Sequence, residues 1–197
     1  MQHRAIVTRR KILESAIVSF AQTGFNGTVV DDIADNAGVN KQRIYAYFGS
    51  KRKLFEAALL EVFQRVKLFG SSTLSQAEKE PENLSRIVLE SFFKVHEEQP
   101  VLWRLLAWAN LEGGEYVKVL EAARKEENSV LKKIFDRAVS EKIIKPLRFE
   151  SWLFMLLGIS CFYYSNRHTL EFTLDSKLQE SVWKDKLIDD TVKAFIP

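Results

Sequence analysis

Lys41, Gln42, Arg43, Tyr45, Tyr47 and Lys51 crowd into one short stretch, and no acidic residue falls between the first and the last. These residue types suit a polyanion. Lys and Arg neutralise phosphate, and Tyr hydroxyls hydrogen-bond its oxygens. Gln42 and Arg43 can also reach base edges, Gln pairing with adenine and Arg with guanine. Thr28 offers a hydroxyl, with nearby backbone N–H groups, at the start of the preceding segment. Lys51 opens a helix, where its ammonium and the helix N-terminus both favour phosphate. Solvated surface is the plain alternative, but a mere scaffold has no need of Lys41, Gln42, Arg43 and Lys51 on one outward side.

The elements that hold these side chains follow from apolar spacing and punctuation. Ile6, Leu13, Ala16, Ile17, Phe20 and Ala21 repeat with helical period and predict an amphipathic helix over about 5–22. Gly24 and Gly27 stop it. Thr28 is the expected N-cap of a second helix over about 29–36, with Asp31 and Asp32 in the turn where the dipole favours acids. Gly38 turns the chain, and Asn40 caps a third helix, Lys41 to Phe48. Gly49 ends it, and Ser50 caps a fourth that starts at Lys51. Ile33, Ala34, Ala37, Val39, Ile44 and Phe48 are spaced to lock the second and third helices together and onto the first. Two short helices crossing at a tight turn form a helix-turn-helix, whose second helix enters the major groove of DNA.

Charge supports the same face. Residues 1–70 hold 11 Lys and Arg against 6 Asp and Glu, whereas residues 71–197 hold 18 against 20. The front of the chain is basic and the back mildly acidic. Low Gly and Pro, 8 and 4 of 197 residues, favour helices throughout. A single cysteine, Cys161, excludes an internal disulfide and a cysteine-based zinc site, fits a reducing cytoplasm, and is expected to be inert in its apolar helix. The N-terminus has no apolar run of the kind a secretion signal needs. The longest uncharged run, Ser151 to Asn166, falls short of a membrane span and reads as a buried helix.

From Arg9 to Phe63 the sequence resembles the DNA-binding domain of the TetR family of bacterial regulators. The resemblance runs through Gly24-Phe25, Thr28-Val29, Asp32-Ile33-Ala34, Ala37-Gly38-Val39, Ile44-Tyr45-Ala46-Tyr47-Phe48 and Ser50-Lys51. It departs at Asn40, where the family often has Ser, and Asn caps equally well. The resemblance implies an all-α chain of about nine helices. It implies a helix-turn-helix domain over 1–53, and a helical ligand-binding and dimerisation domain over 54–197. It implies a cytoplasmic, nucleoid-associated regulator, most often a repressor, with double-stranded operator DNA as partner and an unidentified small molecule as effector. Carried over by position, the DNA contacts are Thr28, Lys41, Gln42, Arg43, Tyr45, Tyr47 and Lys51.

Beyond the motif the text stays helical. A loop is expected over Gly70 to Glu82, then helices over about 83–97, 100–111, 115–142, 149–168 and 176–195, with Gly113-Gly114 breaking the middle of the series. Helix 149–168 is apolar nearly all round and needs cover on more than one side. Pairing it with 176–195 from two subunits makes an isologous four-helix bundle and a homodimer. Two recognition helices then bind a near-palindromic operator. Trp103 and Trp108 are the candidate ligand-binding residues, because an indole N–H needs a partner when buried. The other aromatic residues past residue 90 could line a pocket for an apolar or aromatic ligand, but are expected to fill the core and the dimer interface. Glu112 and Glu115 flank the glycine pair without the arrangement an acid–base couple needs. No catalytic residue, metal site or cofactor is expected, and no membrane partner. The rival reading is a small-molecule sensor or carrier in which the helix-turn-helix is only scaffold.

Overall fold

The computed structural model describes residues 2–174, 177–178 and 180–197, and the side chains of all of these except 2 and 67–71. It is all-α. Among the described residues there are nine α-helices: α1 Gln2–Gly27, α2 Val30–Ala37, α3 Lys41–Phe48, α4 Lys51–Lys79, α5 Leu84–Glu98, α6 Pro100–Leu111, α7 Glu121–Ser140, α8 Phe149–Leu174 and α9 Ser181–Lys193. Short 3-10 turns at Pro81–Asn83 and Glu115–Leu120 precede α5 and α7.

At Asn40, Gly49, Pro100 and Gly113-Gly114 the expected and observed helix ends agree, whereas α1 runs from Gln2 to Gly27, past the expected 5–22, with its break at Gly24. Elsewhere burial decides. The loop expected over 70–82 is helical as far as Lys79. Ala77 and the following Leu84 are fully buried, and that tertiary burial overrides the polar composition of the segment. The helix expected from 115 begins as a 3-10 turn, and its α-helical part starts at Glu121. α8 runs on to Leu174, and α9 starts at Ser181 rather than 176. Residues 175, 176 and 179 of that stretch lie outside the described residues.

The chain divides into two compact units, Met1–Lys67 with Gln99–Arg124, and Leu68–Glu98 with Lys125–Pro197. The boundary expected between residues 53 and 54 falls inside α4. In the first unit α1 packs against α2 and α6. Phe20, Phe25, Phe55 and Tyr116 stack around its centre, with the Phe20 and Phe55 ring centroids 4.8 Å apart and those of Phe55 and Tyr116 5.0 Å apart. In the second unit α5 packs against α8 and α9. Trp152 is fully buried, 4.9 Å from Phe135, and its Nε1 donates to Ser85 Oγ at 3.0 Å. Tyr163 stacks on Trp183 and donates to the Leu178 carbonyl at 2.5 Å. The buried indole and phenol thus both find acceptors, as burial requires.

Candidate nucleic-acid interface

The α2–α3 unit is built from its punctuation outward. Ile33 and Ile44 are fully buried and Phe48 nearly so, which fixes the inward faces of both helices. Gly38 adopts the left-handed region, φ 66° and ψ 39°. Val39 N donates to the Ala34 carbonyl at 3.0 Å across that turn. This closes α2 with the bond pattern of a left-handed cap. Asn40 Oδ1 accepts from Arg43 N at 2.9 Å, and Ser50 Oγ accepts from Lys53 N at 3.1 Å, so α3 and α4 both start on the expected caps.

With Ile44 and Phe48 inside, the rest of α3 faces out. Lys41, Gln42, Arg43 and Tyr45 are exposed, and Tyr47 is half-buried. Lys41 Nζ donates to Asp31 Oδ2 at 2.8 Å, and that bond raises the Lys41 pKa above its ordinary value. Lys51 is half-buried with its ammonium 4.7 Å from the centre of the Phe25 ring. Burial lowers its pKa, opposed by the charge of Glu112. Lys51 therefore rests against an aromatic face at the start of α4.

Two sequence expectations need correction or relocation. The N-cap position of α2 belongs to Val29, which makes no side-chain cap bond, and not to Thr28. Thr28 is buried because the break at Gly24 (φ 73°) frees a carbonyl. The Thr28 hydroxyl donates to that carbonyl at 2.6 Å and lies 2.8 Å from Thr23 Oγ1. Its hydroxyl is spent inside the turn. Trp108 has its ring pressed against the turn at Gly24, where an added Cβ would come within 2.7 Å of it. Trp103 is half-buried on α6. One residue not anticipated from sequence also stands at this face. The exposed Arg9 guanidinium lies 4.9 Å from the Phe48 ring, at the end of α3. The basic run Arg9-Arg10-Lys11 was the available signal.

The comparisons with known proteins bear on the same segments. The sequence model of bacterial regulatory proteins of the tetR family matches residues 12–58. The model of the tetracyclin repressor-like C-terminal domain matches residues 81–194, more than half of the chain. The chain belongs to the TetR family. Among TetR-family relatives, the HTH-type transcriptional repressor NicS of Pseudomonas putida is 28% identical over 174 residues, covering 83% of this chain and 78% of that protein. The HTH-type transcriptional repressor SCO4008 of Streptomyces coelicolor is 32% identical over 119 residues, 60% of this chain and 58% of that one. Among solved structures, the hemolysin II transcriptional regulator HlyIIR superposes with a TM-score of 0.71 at 19% identity, over 98% of this chain and 99% of that one. AibR, solved in complex with isovaleryl coenzyme A and operator DNA, also gives 0.71, at 20% identity over 96% and 98%. The fold of the TetR family, an N-terminal helix-turn-helix followed by a helical C-terminal region, is the fold of this chain.

No three or more His, Cys, Asp or Glu residues gather into a metal-holding group among the described residues. Nor is any described helix long and apolar enough to cross a membrane.

Proposed function

We propose that this TetR-family regulator is a ligand-responsive repressor that binds a near-palindromic operator as a homodimer. The observation that carries the reading is the outward face of α3. Gln42 and Arg43 are exposed side by side, and among the described residues neither side chain is used in an intramolecular bond. They are the base-reading pair, and Lys41, Tyr45, Tyr47 and Lys51 are the phosphate contacts that set register. Thr28 contributes through the backbone at the start of α2, its hydroxyl being occupied.

The dimer rests on α8 and α9. Phe154, Phe162 and Phe172 of α8 are 76%, 56% and 90% exposed, and Val182 of α9 is 58% exposed. Aromatic rings left in water on a long helix mark a surface made for a protein partner. A second copy meeting the same face gives a closed, isologous contact. It sets two recognition helices about 34–36 Å apart, one turn of DNA. The ligand response draws on the C-terminal match and on AibR having been solved in complex with isovaleryl coenzyme A and operator DNA. Trp103 is the better of the two candidate tryptophans for the effector, since the Trp108 ring is engaged at Gly24. The effector acts by its differential affinity for the DNA-competent and DNA-free states. The regulator assigned here performs no catalysis, needs no cofactor, and works in the bacterial cytoplasm on nucleoid DNA.

Footprinting on the DNA upstream of the gene tests the reading. Protection of two half-sites about one turn apart, with affinity falling steeply as salt rises, is the expected result. A uniform cleavage ladder at low salt would end it.

A further inference from the structure

The junction of α1 and α2 is held by a residue of distant sequence. At Gly24 the helical path of α1 breaks, and the amides of Phe25 and Asn26 need acceptors outside the helix. Glu112, the C-cap of α6, supplies both. Its Oε2 accepts from Phe25 N at 3.1 Å and its Oε1 from Asn26 N at 3.0 Å. One turn earlier on α6, Trp108 lies against Gly24 so closely that no Cβ would fit. Phe25 is also the ring on which the Lys51 ammonium rests. One carboxylate thus fixes the turn that launches α2, and with it the ring that parks a phosphate contact.

The chain after Glu112 is built differently. Gly113 and Gly114 have φ of 108° and 72°, and nothing lies within 4 Å of where a Cβ would stand on either. The clamp at residue 112 is followed by two glycines whose Cβ positions are open space and whose amides donate back to the Asn110 and Ala109 carbonyls of α6 at 3.3 and 2.8 Å.

We propose that Glu112 is a positioning residue for operator recognition, setting from α6 the angle at which α2 and α3 present their DNA face. A carboxylate is required because each oxygen takes one amide. A glutamine has one acceptor oxygen and turns its amino group, a donor, toward the other N–H. Glu112 touches no phosphate in this role, so its loss falls chiefly on specific binding, with at most a small change through the Lys51 that rests on Phe25. The proposal rests on the DNA-binding reading above.

The test uses the full chain. An operator duplex is selected by wild-type protein from a random pool, and a scrambled duplex of the same length serves as control. Affinities for both are measured by fluorescence anisotropy at two salt concentrations for wild type, Glu112→Ala and Glu112→Gln. Exchange of the Phe25 and Asn26 amides is followed in parallel. Both variants are expected to lose at least about tenfold in operator affinity, the scale of two charge-assisted bonds partly spent on orientation. The scrambled duplex should bind as before or slightly tighter, with an unchanged salt slope. Both amides should exchange faster. Operator affinity within twofold of wild type overturns the proposal. So does a parallel loss on both duplexes in Glu112→Gln, which would mark a general loss of fold. Wild-type protein that selects no duplex sinks the DNA reading and this inference with it, a failure distinct from the variants behaving like wild type.

Discussion

The outer faces of α3 and α8 are both open to water, but they carry opposite chemistry. α3 presents Lys41, Gln42, Arg43 and Tyr45 around a two-residue apolar anchor of Ile44 and Phe48. α8 presents Phe154, Phe162 and Phe172 beside a buried row that includes Trp152, Leu156 and Tyr163. On α3 the exposed groups are hydrogen-bonding and cationic, which water solvates without cost, so exposure signals availability to a polar partner. On α8 the exposed groups are rings, which water disfavours, so exposure signals a surface unfinished in a single chain. Accessibility therefore supports a nucleic acid as the proposed partner of α3 and a second copy of the chain as the proposed partner of α8.

The sharpest way to break this contrast is at α3. Replacing Gln42 and Arg43 together with Ala should cost about 2–6 kcal/mol of operator binding, since each bidentate base contact is worth about 1–3 kcal/mol. Binding to scrambled DNA should fall far less, and melting should not change, because both side chains are exposed. Equal loss on operator and scrambled duplexes would show that these residues only supply charge. An unchanged operator affinity would favour the sensor or carrier alternative.

At α8 the expected effect is next in size. Phe154→Glu combined with Phe162→Glu places two carboxylates on the proposed dimer face, and burying unpaired charge there should cost at least about 3 kcal/mol of association. Sedimentation should show the monomer at concentrations where wild type is dimeric, and helical content should be retained. A double variant that still sediments as wild type would remove α8 from the interface. Operator binding should weaken with the dimer, because one recognition helix then binds without its partner.

These two faces also differ in how far the sequence disclosed them. The boundaries of α3 and α6 could be read to the residue, since Asn40, Gly49, Pro100 and the Gly113-Gly114 pair are local signals with local causes. The exposure of Gln42 and Arg43 was legible for the same reason: a two-turn helix with its inward positions taken by Ile44 and Phe48 leaves little choice of face. What failed to show was everything set by distant contact. The polar stretch after residue 70 reads as a loop, and only the burial of Ala77 and Leu84 explains why it is helical. Thr28 reads as a cap, and only the break at Gly24 explains why its hydroxyl turns inward. Glu112 lies 87 residues from Phe25, and no spacing rule connects them.

The interiors of the two units differ too, and pH can expose it. The buried polar group of the first unit is Thr28, whereas the second buries His96 on the face of Tyr164, ring centroids 4.6 Å apart. Burial pushes the His96 pKa down to about 4, against the weaker pull of Glu97. Burial would raise Glu97, but its bonds from Lys184 and Tyr164, both 2.7 Å, outweigh that and hold it below its usual value. The folded state thus keeps His96 neutral while the unfolded chain takes up a proton below an ordinary pKa near 6.5. The stabilising contribution is complete above about pH 6.5 and is lost as pH falls toward 4. Denaturant titration should show a loss of about 2 kcal/mol between pH 7 and pH 5 from this group. His96→Gln should flatten that part of the profile. An equally steep profile in the variant would assign the acid sensitivity elsewhere.

The smallest effect tests the rim of the α3 face. Asp31 on α2 holds Lys41 at 2.8 Å in the free protein, and both side chains are about half exposed, 58% and 46%. An ion pair so open to water contributes little to folding. Its cost on DNA has the opposite sign. The lysine must leave Asp31 to reach a phosphate, and the carboxylate itself repels the backbone. Asp31→Asn should therefore leave the denaturation midpoint close to wild type while tightening operator and scrambled duplexes alike by a few-fold at low salt. The gain should fade as salt rises, since it comes from charge and not from base reading. A gain confined to the operator would instead place Asp31 among the residues that choose sequence, and would move the edge of the reading face from α3 onto α2.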